Sequence, residues 1–243
     1  MLRTAALIAA LLFVLPSISG MGVAYSQERK IQNRPFLDDR VWHYGFLVGL
    51  NFQDLRIANN GLAHIENGNL EYWYADVPQY TPGFSVGVLG ELKANDWLSV
   101  RFIPTMHFGD KKVVFKEQNS RKVVEQYVKS TYLSVPFDLK ISAERFNNYR
   151  PYVVTGLAPT VDLTVKKGNE LLVRKSDVMF EVGLGLDLYY PFFKLIPELK
   201  FCFGLNNILE KNRTDLKDAS LLKYTDSLDK IQNGMIVLTL YFE

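Results

Sequence analysis

Ten charged side chains sit at alternate positions of otherwise apolar stretches: Glu91, Lys93, Arg101, Asp138, Lys140, Glu181, Asp187, Lys194, Glu198 and Lys200. Five are acids and five are bases, so the signs balance. Each lies opposite a face rich in Leu, Val and Phe, which places the set on one side of a sheet. Charges gathered on a buried face are tolerable only when paired and hydrogen-bonded. The pattern therefore predicts a cross-linked polar core that blocks passage.

Catalytic and metal chemistry find less support. His43, His64 and His107 are the only histidines and have no metal-ligand spacing, so no metal or cofactor is expected. An enzyme site would need a serine, a histidine and a carboxylate brought together. Ser85 or Ser99 with His107 and Glu91 is the grouping that can be drawn, but no motif joins them. No catalytic residue is assigned, and the chain is expected not to be an enzyme.

The elements that must position these charges are strands. Over residues 177–207, Val178, Phe180, Val182, Leu184, Leu186 and Leu188 alternate with Asp177, Met179, Glu181, Gly183, Gly185 and Asp187. After a turn at Tyr190-Pro191-Phe192, Phe193, Leu195, Pro197, Leu199, Phe201 and Phe203 alternate with Lys194, Glu198, Lys200 and Gly204. The same two-residue period predicts strands over about 41–53, 83–93, 97–109, a stretch ending near 142, 149–164 and 235–242. Long loops are expected at about 54–81, 110–122, 166–175 and 208–231. Short turns fall at Asn95-Asp96, Asn147-Asn148 and Tyr190-Pro191-Phe192. Tyr72, Trp73 and Tyr74, on the first long loop, suit a contact surface for a protein partner or a loop folded back onto the mouth or the headgroups.

The ends bound the class. Residues 1–26 carry Arg3, an apolar run from Ala5 to Leu15, Pro16 and Gly20, then Ala24-Tyr25-Ser26, the composition of a cleaved secretory leader. No later stretch reaches the roughly 18 apolar residues of a spanning helix. The one cysteine, Cys202, permits no disulfide, and a net charge of +2 gives no reason to propose nucleic acid as a partner.

Eight strands joined by alternating long and short connections fit an up-and-down transmembrane barrel whose two termini share the short-turn side. The glycines at 45, 49, 87, 183, 185 and 204 share the charged face. A soluble sandwich has no reason to put small residues on its solvent face, whereas an eight-stranded barrel has an interior that side chains just fill. The expected fold is all-β: an eight-stranded antiparallel up-and-down transmembrane β-barrel with a filled lumen. It spans residues 41–243 after a periplasmic segment at 27–40. Pro104, Pro136, Pro159 and Pro197 fall inside strands, where bulges or shortened pairing are the expected remedy.

Several stretches resemble the PorT family of Bacteroidetes outer-membrane barrels, part of the type IX secretion system. They are RPFLDDRVWHYGFLVGLNFQDL (34–55), STYLSVPFDLKIS (130–142), YRPYVVTGLAP (149–159), PELKFCFGLNNIL (197–209) and the ending VLTLYFE. The resemblance implies a non-enzymatic outer-membrane barrel, both termini periplasmic. It would be required for secretion and surface maturation of cargo with a C-terminal targeting domain, in contact with outer-membrane lipid and other secretion proteins. A small structural or adhesion barrel of the OmpA-like kind, a narrow pore and a lipid-modifying enzyme remain the alternatives.

Overall fold

A computed structural model describes residues 33–61, 63–66, 69–77, 81–118, 123–165, 172–212 and 222–243. The leader at 1–26 and the start of the segment at 27–40 lie outside the described residues. The strands are β1 (Trp42–Asn59), β2 (Ala63–Glu66), β3 (Asn69–Asp76), β4 (Pro82–Lys93), β5 (Leu98–Phe102), β6 (Thr105–Glu117), β7 (Val123–Ser134), β8 (Phe137–Ser142), β9 (Tyr149–Asp162), β10 (Ser176–Tyr189), β11 (Lys194–Gly204) and β12 (Leu228–Phe242). Among the described residues one short helix, α1, spans Leu222–Asp226. No helix among the described residues is long and apolar enough to cross a membrane.

The wall is a closed antiparallel ring. β1 pairs with β12 on one side and β4 on the other, and β9, β10, β11 and β12 follow one another. β5 with β6, and β7 with β8, each form one wall strand interrupted for two residues, which makes the ring eight-stranded. Closure matters because hydrocarbon offers no partner to a free strand edge.

The interruptions are the prolines. Pro104, Pro136 and Pro159 lie on neighbouring wall strands, and each lacks the N–H that the ladder would use. Their carbonyls still accept, from Val88 N (3.1 Å), Ile103 N (3.1 Å) and Val135 N (3.0 Å). The carbonyl of Ile103, deprived of Pro136 as donor, takes the Thr105 hydroxyl at 2.8 Å instead. No bulge forms there: Phe102↔Phe137 and Thr105↔Ser134 keep one register across the gap, as do Gly185↔Glu198 and Leu188↔Leu195 around Pro197. Of the two expected remedies the wall shows shortened pairing: ladder bonds are lost locally while the register stays unshifted.

The loops are shorter than alternation suggested. β1 runs on to Asn59, and β2 and β3 form a hairpin within 54–81. Residues 110–117 continue β6, and 208–231 contains α1 and the start of β12. At the opposite end the turns are tight. Asn147, at φ 56°, lies in the turn between Phe146 and Tyr149, a conformation that asparagine tolerates.

Outside, a continuous apolar band comprises Phe46, Val48, Leu50, Val86, Val88, Leu139, Val153, Leu157, Val182, Leu184, Leu238 and Leu240. Aromatics ring its turn end, among them Trp42, Tyr44, Trp97, Tyr149, Tyr190 and Phe193, the placement favoured at a membrane–water interface. Residues 33–40 cross the turn end of the barrel, with Leu37 buried.

Candidate functional site

The inner face of the wall is where the sequence places its charges, and register explains how they fit. Across the β10–β11 ladder Gly185 faces Glu198 and Gly183 faces Lys200, while Gly156 on β9 faces Asp138 on β8. A Cβ at Gly185 would collide with the Tyr152 ring, and one at Gly156 with the Asp138 carboxylate. Small residues therefore make room for long charged ones on the neighbouring strand.

The charged groups link into one chain of alternating sign. At the turn end His43 Nδ1 lies 2.5 Å from Glu243 Oε1, and Glu243 Oε2 accepts from Lys194 Nζ at 3.0 Å. Lys194 reaches Asp187 at 3.4 Å, Asp187 holds Lys140 at 2.8 Å, and Lys140 lies 3.5 Å from Glu91. Arg101 then bridges two carboxylates, donating from Nε to Glu91 and from Nη1 to Glu198, each at 2.7 Å. Glu198 also accepts from the hydroxyls of Tyr152 (2.5 Å) and Tyr241 (2.7 Å). Lys200 closes the chain, 3.7 Å from Glu198, 3.0 Å from Glu181 and paired with Asp138.

Nine of the ten charges named from sequence are buried in this chain. Lys93 is not among them. It shares their parity, but it ends β4 at the rim, where it pairs with exposed Asp96 (2.8 Å) and donates to Asp38 O (2.8 Å). Sequence reasoning also missed members. His43 and Glu243 close the turn end, and the tyrosines supply hydroxyls that their apolar bodies conceal. The N-terminal segment adds a lid: Asp38 accepts from Tyr189 OH (2.6 Å) and Arg145 Nη1 (3.1 Å), and the Arg145 guanidinium stacks 3.5 Å over the Tyr189 ring.

Above the chain, toward the long loops, lies a neutral layer. Asn51 Nδ2 donates to Ser85 Oγ (2.9 Å), Ser85 Oγ lies 2.7 Å from His107 Nδ1, and His107 Nε2 lies 3.0 Å from Ser134 Oγ. Ser85 and His107 therefore meet, but Glu91 is engaged by Arg101 elsewhere, and Ser134 takes the position a carboxylate would occupy in a triad. Beyond this layer charged groups return: Lys111 donates to Tyr132 OH (2.5 Å), and Asn233 donates to Asp177 Oδ2 (3.0 Å). Between Glu181, Lys200, His107 and Thr239 a cavity of about 20 Å³ remains, space for about one water.

The loop end is filled differently. Leu55, Val113, Phe115, Ile208, Leu228 and Ile231 form an apolar cluster with Trp73 and Tyr224. Trp73 stands edge-on to Tyr224 at 5.0 Å, and Phe115 lies 4.9 Å from the same ring. The Tyr72-Trp73-Tyr74 contact surface is thus split, because neighbours on a strand face opposite ways. Trp73 is buried in the plug, while Tyr72 and Tyr74 are 38% and 41% exposed on the outside. His64 lies on β2, and its side chain is outside the described residues.

Residues 25–210 match the protein family described as outer membrane protein beta-barrel domain. No curated protein matches the chain. Among solved structures it is similar to Neisserial surface protein A (10% identity, 83% of this chain and 98% of that one, TM-score 0.43). It is also similar to the outer membrane protein AlkL in DMPC bilayers (13% identity, 92% and 97%, TM-score 0.40). A third is Ail of Yersinia pestis, solved with the heparin analogue sucrose octasulfate (14% identity, 82% and 96%, TM-score 0.34).

Proposed function

The chain belongs to the outer membrane protein beta-barrel domain family, and from that premise we propose that it is a non-conducting, non-enzymatic accessory of type IX secretion. It serves the surface maturation of cargo bearing a C-terminal targeting domain. The observation that carries the reading is the alternating chain from His43 to Lys200, which with the apolar plug above it occupies the bore. A filled bore cannot pass a polypeptide, so the protein acts through its rims and its lipid-facing wall. The five stretches quoted from the sequence supply the link to the secretion system. The non-enzymatic reading is supported by His107, whose two ring nitrogens are both engaged by buried serines.

In this reading the tight turns, residues 33–40 and both termini face the periplasm, and the β2–β3 hairpin faces outward. Partners are the surrounding outer-membrane lipid and other secretion proteins meeting either rim, with no role for nucleic acid. The test is the secretome of a deletion strain, which is expected to lose surface and secreted cargo bearing the targeting domain. Planar bilayers holding the purified protein are expected to stay electrically silent; steady single-channel steps would contradict the sealed bore. A second reading, an OmpA-like adhesion or structural barrel, is favoured by the outward Tyr72 and Tyr74. It predicts an unchanged secretome and a loss of surface attachment when both tyrosines become serine.

A further inference from the structure

Glycines that face the bore cannot bear a Cβ without striking backbone or side chains, as at Gly49 and Gly204. Gly234 on β12 faces outward, and a Cβ there would meet Asp54 Cβ at 3.7 Å, Arg56 Nε at 3.8 Å and Asp54 Oδ2 at 4.0 Å, ordinary contact distances. The fold does not require glycine at this position. What its missing side chain leaves is a recess of about 360 Å³ in the lipid-facing wall, within the range of about 300–1,000 Å³ typical of small-molecule sites.

Register sets the depth of the recess. Gly234 lies between Asp54 on β1 and Phe203 on β11, and two residues toward the turn end Ile236 lies between Phe52 and Phe201. Nearer the turns the outward residues are Leu50, Leu238 and Leu199; on the loop side they are Arg56 and Gln232. The recess thus lies at the loop end of the apolar band, where acyl chains meet headgroups. With the loops facing outward, the orientation on which this inference rests, that is the outward leaflet of the outer membrane. Its characteristic lipid is lipid A, a phosphorylated glucosamine disaccharide bearing amide- and ester-linked hydroxyacyl chains.

The groups at the head of the recess suit that lipid. Arg56 holds its guanidinium 4.8 Å over the Phe203 ring. Among the described residues the arginines in salt bridges are Arg101, Arg145, Arg150 and Arg174, not Arg56. A planar guanidinium suits phosphate oxygens and keeps its stacking on the ring while it binds them. Asp54 accepts the Leu55 N–H at Oδ1 (2.8 Å), which leaves Oδ2 on the recess side. A carboxylate at the level of the chain heads needs a donor there. A glycerophospholipid offers only ester carbonyls at that level, whereas lipid A offers amide N–H groups and the hydroxyls of its acyl chains. We propose that the recess over Gly234 binds one lipid A molecule, an acyl chain against Phe52, Phe201 and Phe203, a phosphate on Arg56 and an amide N–H or chain hydroxyl donating to Asp54. The Asp54 charge turns the phosphate away from itself and toward Arg56.

The experiment is native mass spectrometry of the full mature protein, released from detergent micelles doped equally with lipid A and phosphatidylethanolamine. The expected result is one retained lipid A, about tenfold over phosphatidylethanolamine, the scale of one charge-assisted contact. Gly234→Phe fills the slot and is expected to cut that retention about tenfold. Arg56→Gln is expected to cut it as far, while lipid A stripped of its phosphates binds that variant and the wild type alike. Wild-type protein that holds the two lipids equally, or Gly234→Phe that keeps lipid A at the wild-type level, overturns the proposal. Heat-modifiable gel mobility checks folding. Should Gly234→Phe not fold, Arg56→Gln decides, since full retention of phosphorylated lipid A in that variant also overturns it. The orientation is read separately, by labelling Lys230→Cys on whole cells with a membrane-impermeant maleimide. Labelling is expected; its absence overturns the orientation and the site together, whereas labelling without lipid A retention overturns the site alone.

Discussion

The two halves of the barrel interior are filled with opposite chemistry. Toward the turns a charge chain from His43 to Lys200 dominates, running among buried Leu47, Leu89, Ile103 and Ile196; toward the loops, beyond buried Lys111 and Asp177, the filling is apolar, from Leu55 and Phe115 to Leu228. The same strands build both. On β1 the outward residues Val48, Leu50 and Phe52 give way to Asp54 and Arg56, while the inward residues Asn51 and Gln53 give way to Leu55 and Ile57. β6 makes the same exchange: outward Phe108 is followed by Asp110 and Lys112, and inward His107 and Lys111 by Val113 and Phe115. β12 makes it between Ile236 and Ile231. The face that meets the more apolar surroundings is apolar in each half, which locates the edge of the hydrocarbon near Gln53 and Gly234. Above that edge the protein is built inside-in, as a water-soluble domain is.

Unbalancing the ionic half should disturb the barrel most. Arg101→Met leaves Glu91 and Glu198 buried without their shared guanidinium and is expected to cost about 3–5 kcal/mol. Urea unfolding in lipid vesicles measures it. Adding Glu91→Gln and Glu198→Gln is expected to recover most of the loss, because the penalty comes from stranded charge and not from lost volume. The apolar half should respond to cavity creation instead. Leu228→Ala is expected to cost about 2–4 kcal/mol, with faster hydrogen exchange at 54–59, 112–117 and 228–233 while 44–52 stays protected.

The ring and the inner face of its strands were legible because β-structure has a strict two-residue period and lipid demands an unbroken apolar face. The upward extensions of β1 and β6 were not. Where the apolar side switches from even to odd positions, the alternation cancels over a window and the stretch looks like loop. Lys93 shows the opposite failure, since its parity is right but depth along the strand decides whether a charge is buried or at a rim. Tyr152 and Tyr241 were hidden because an aromatic on the inner face reads as a break in the pattern, although the hydroxyl is what the carboxylate of Glu198 needs. Trp73 could have been separated from Tyr72 and Tyr74 by alternation alone.

The level of the switch can be sharpened with arginine on the outer face of β12. Leu238→Arg, in the apolar band, is expected to cost about 2–3 kcal/mol, and Gln232→Arg, six residues nearer the loops, less than about 1 kcal/mol. Equal costs at both sites, measured by the same urea titration, would move the hydrocarbon edge beyond Gln232 and dissolve the distinction between the halves.

The smallest effect belongs to the turn end, where the ionic filling first meets water. Burial alone would raise the Glu243 carboxyl, but the hydrogen bond from His43 and the Lys194 ammonium outweigh it and hold it below the usual carboxylate range. A carboxyl depressed in the folded state binds its proton more readily when unfolded. Its contribution is complete above the unfolded value of about 4.3 and is lost as pH falls through the lower, folded one. Comparing wild type with Glu243→Gln across this range isolates it. The wild type is expected to be more stable by about 1 kcal/mol at neutral pH, the scale of one charge-assisted bond at a partly wet rim. The gap should close only below about pH 4. A gap that persists undiminished into strong acid would mean that Glu243 holds the turn end by shape, and that the ionic half begins at Asp187.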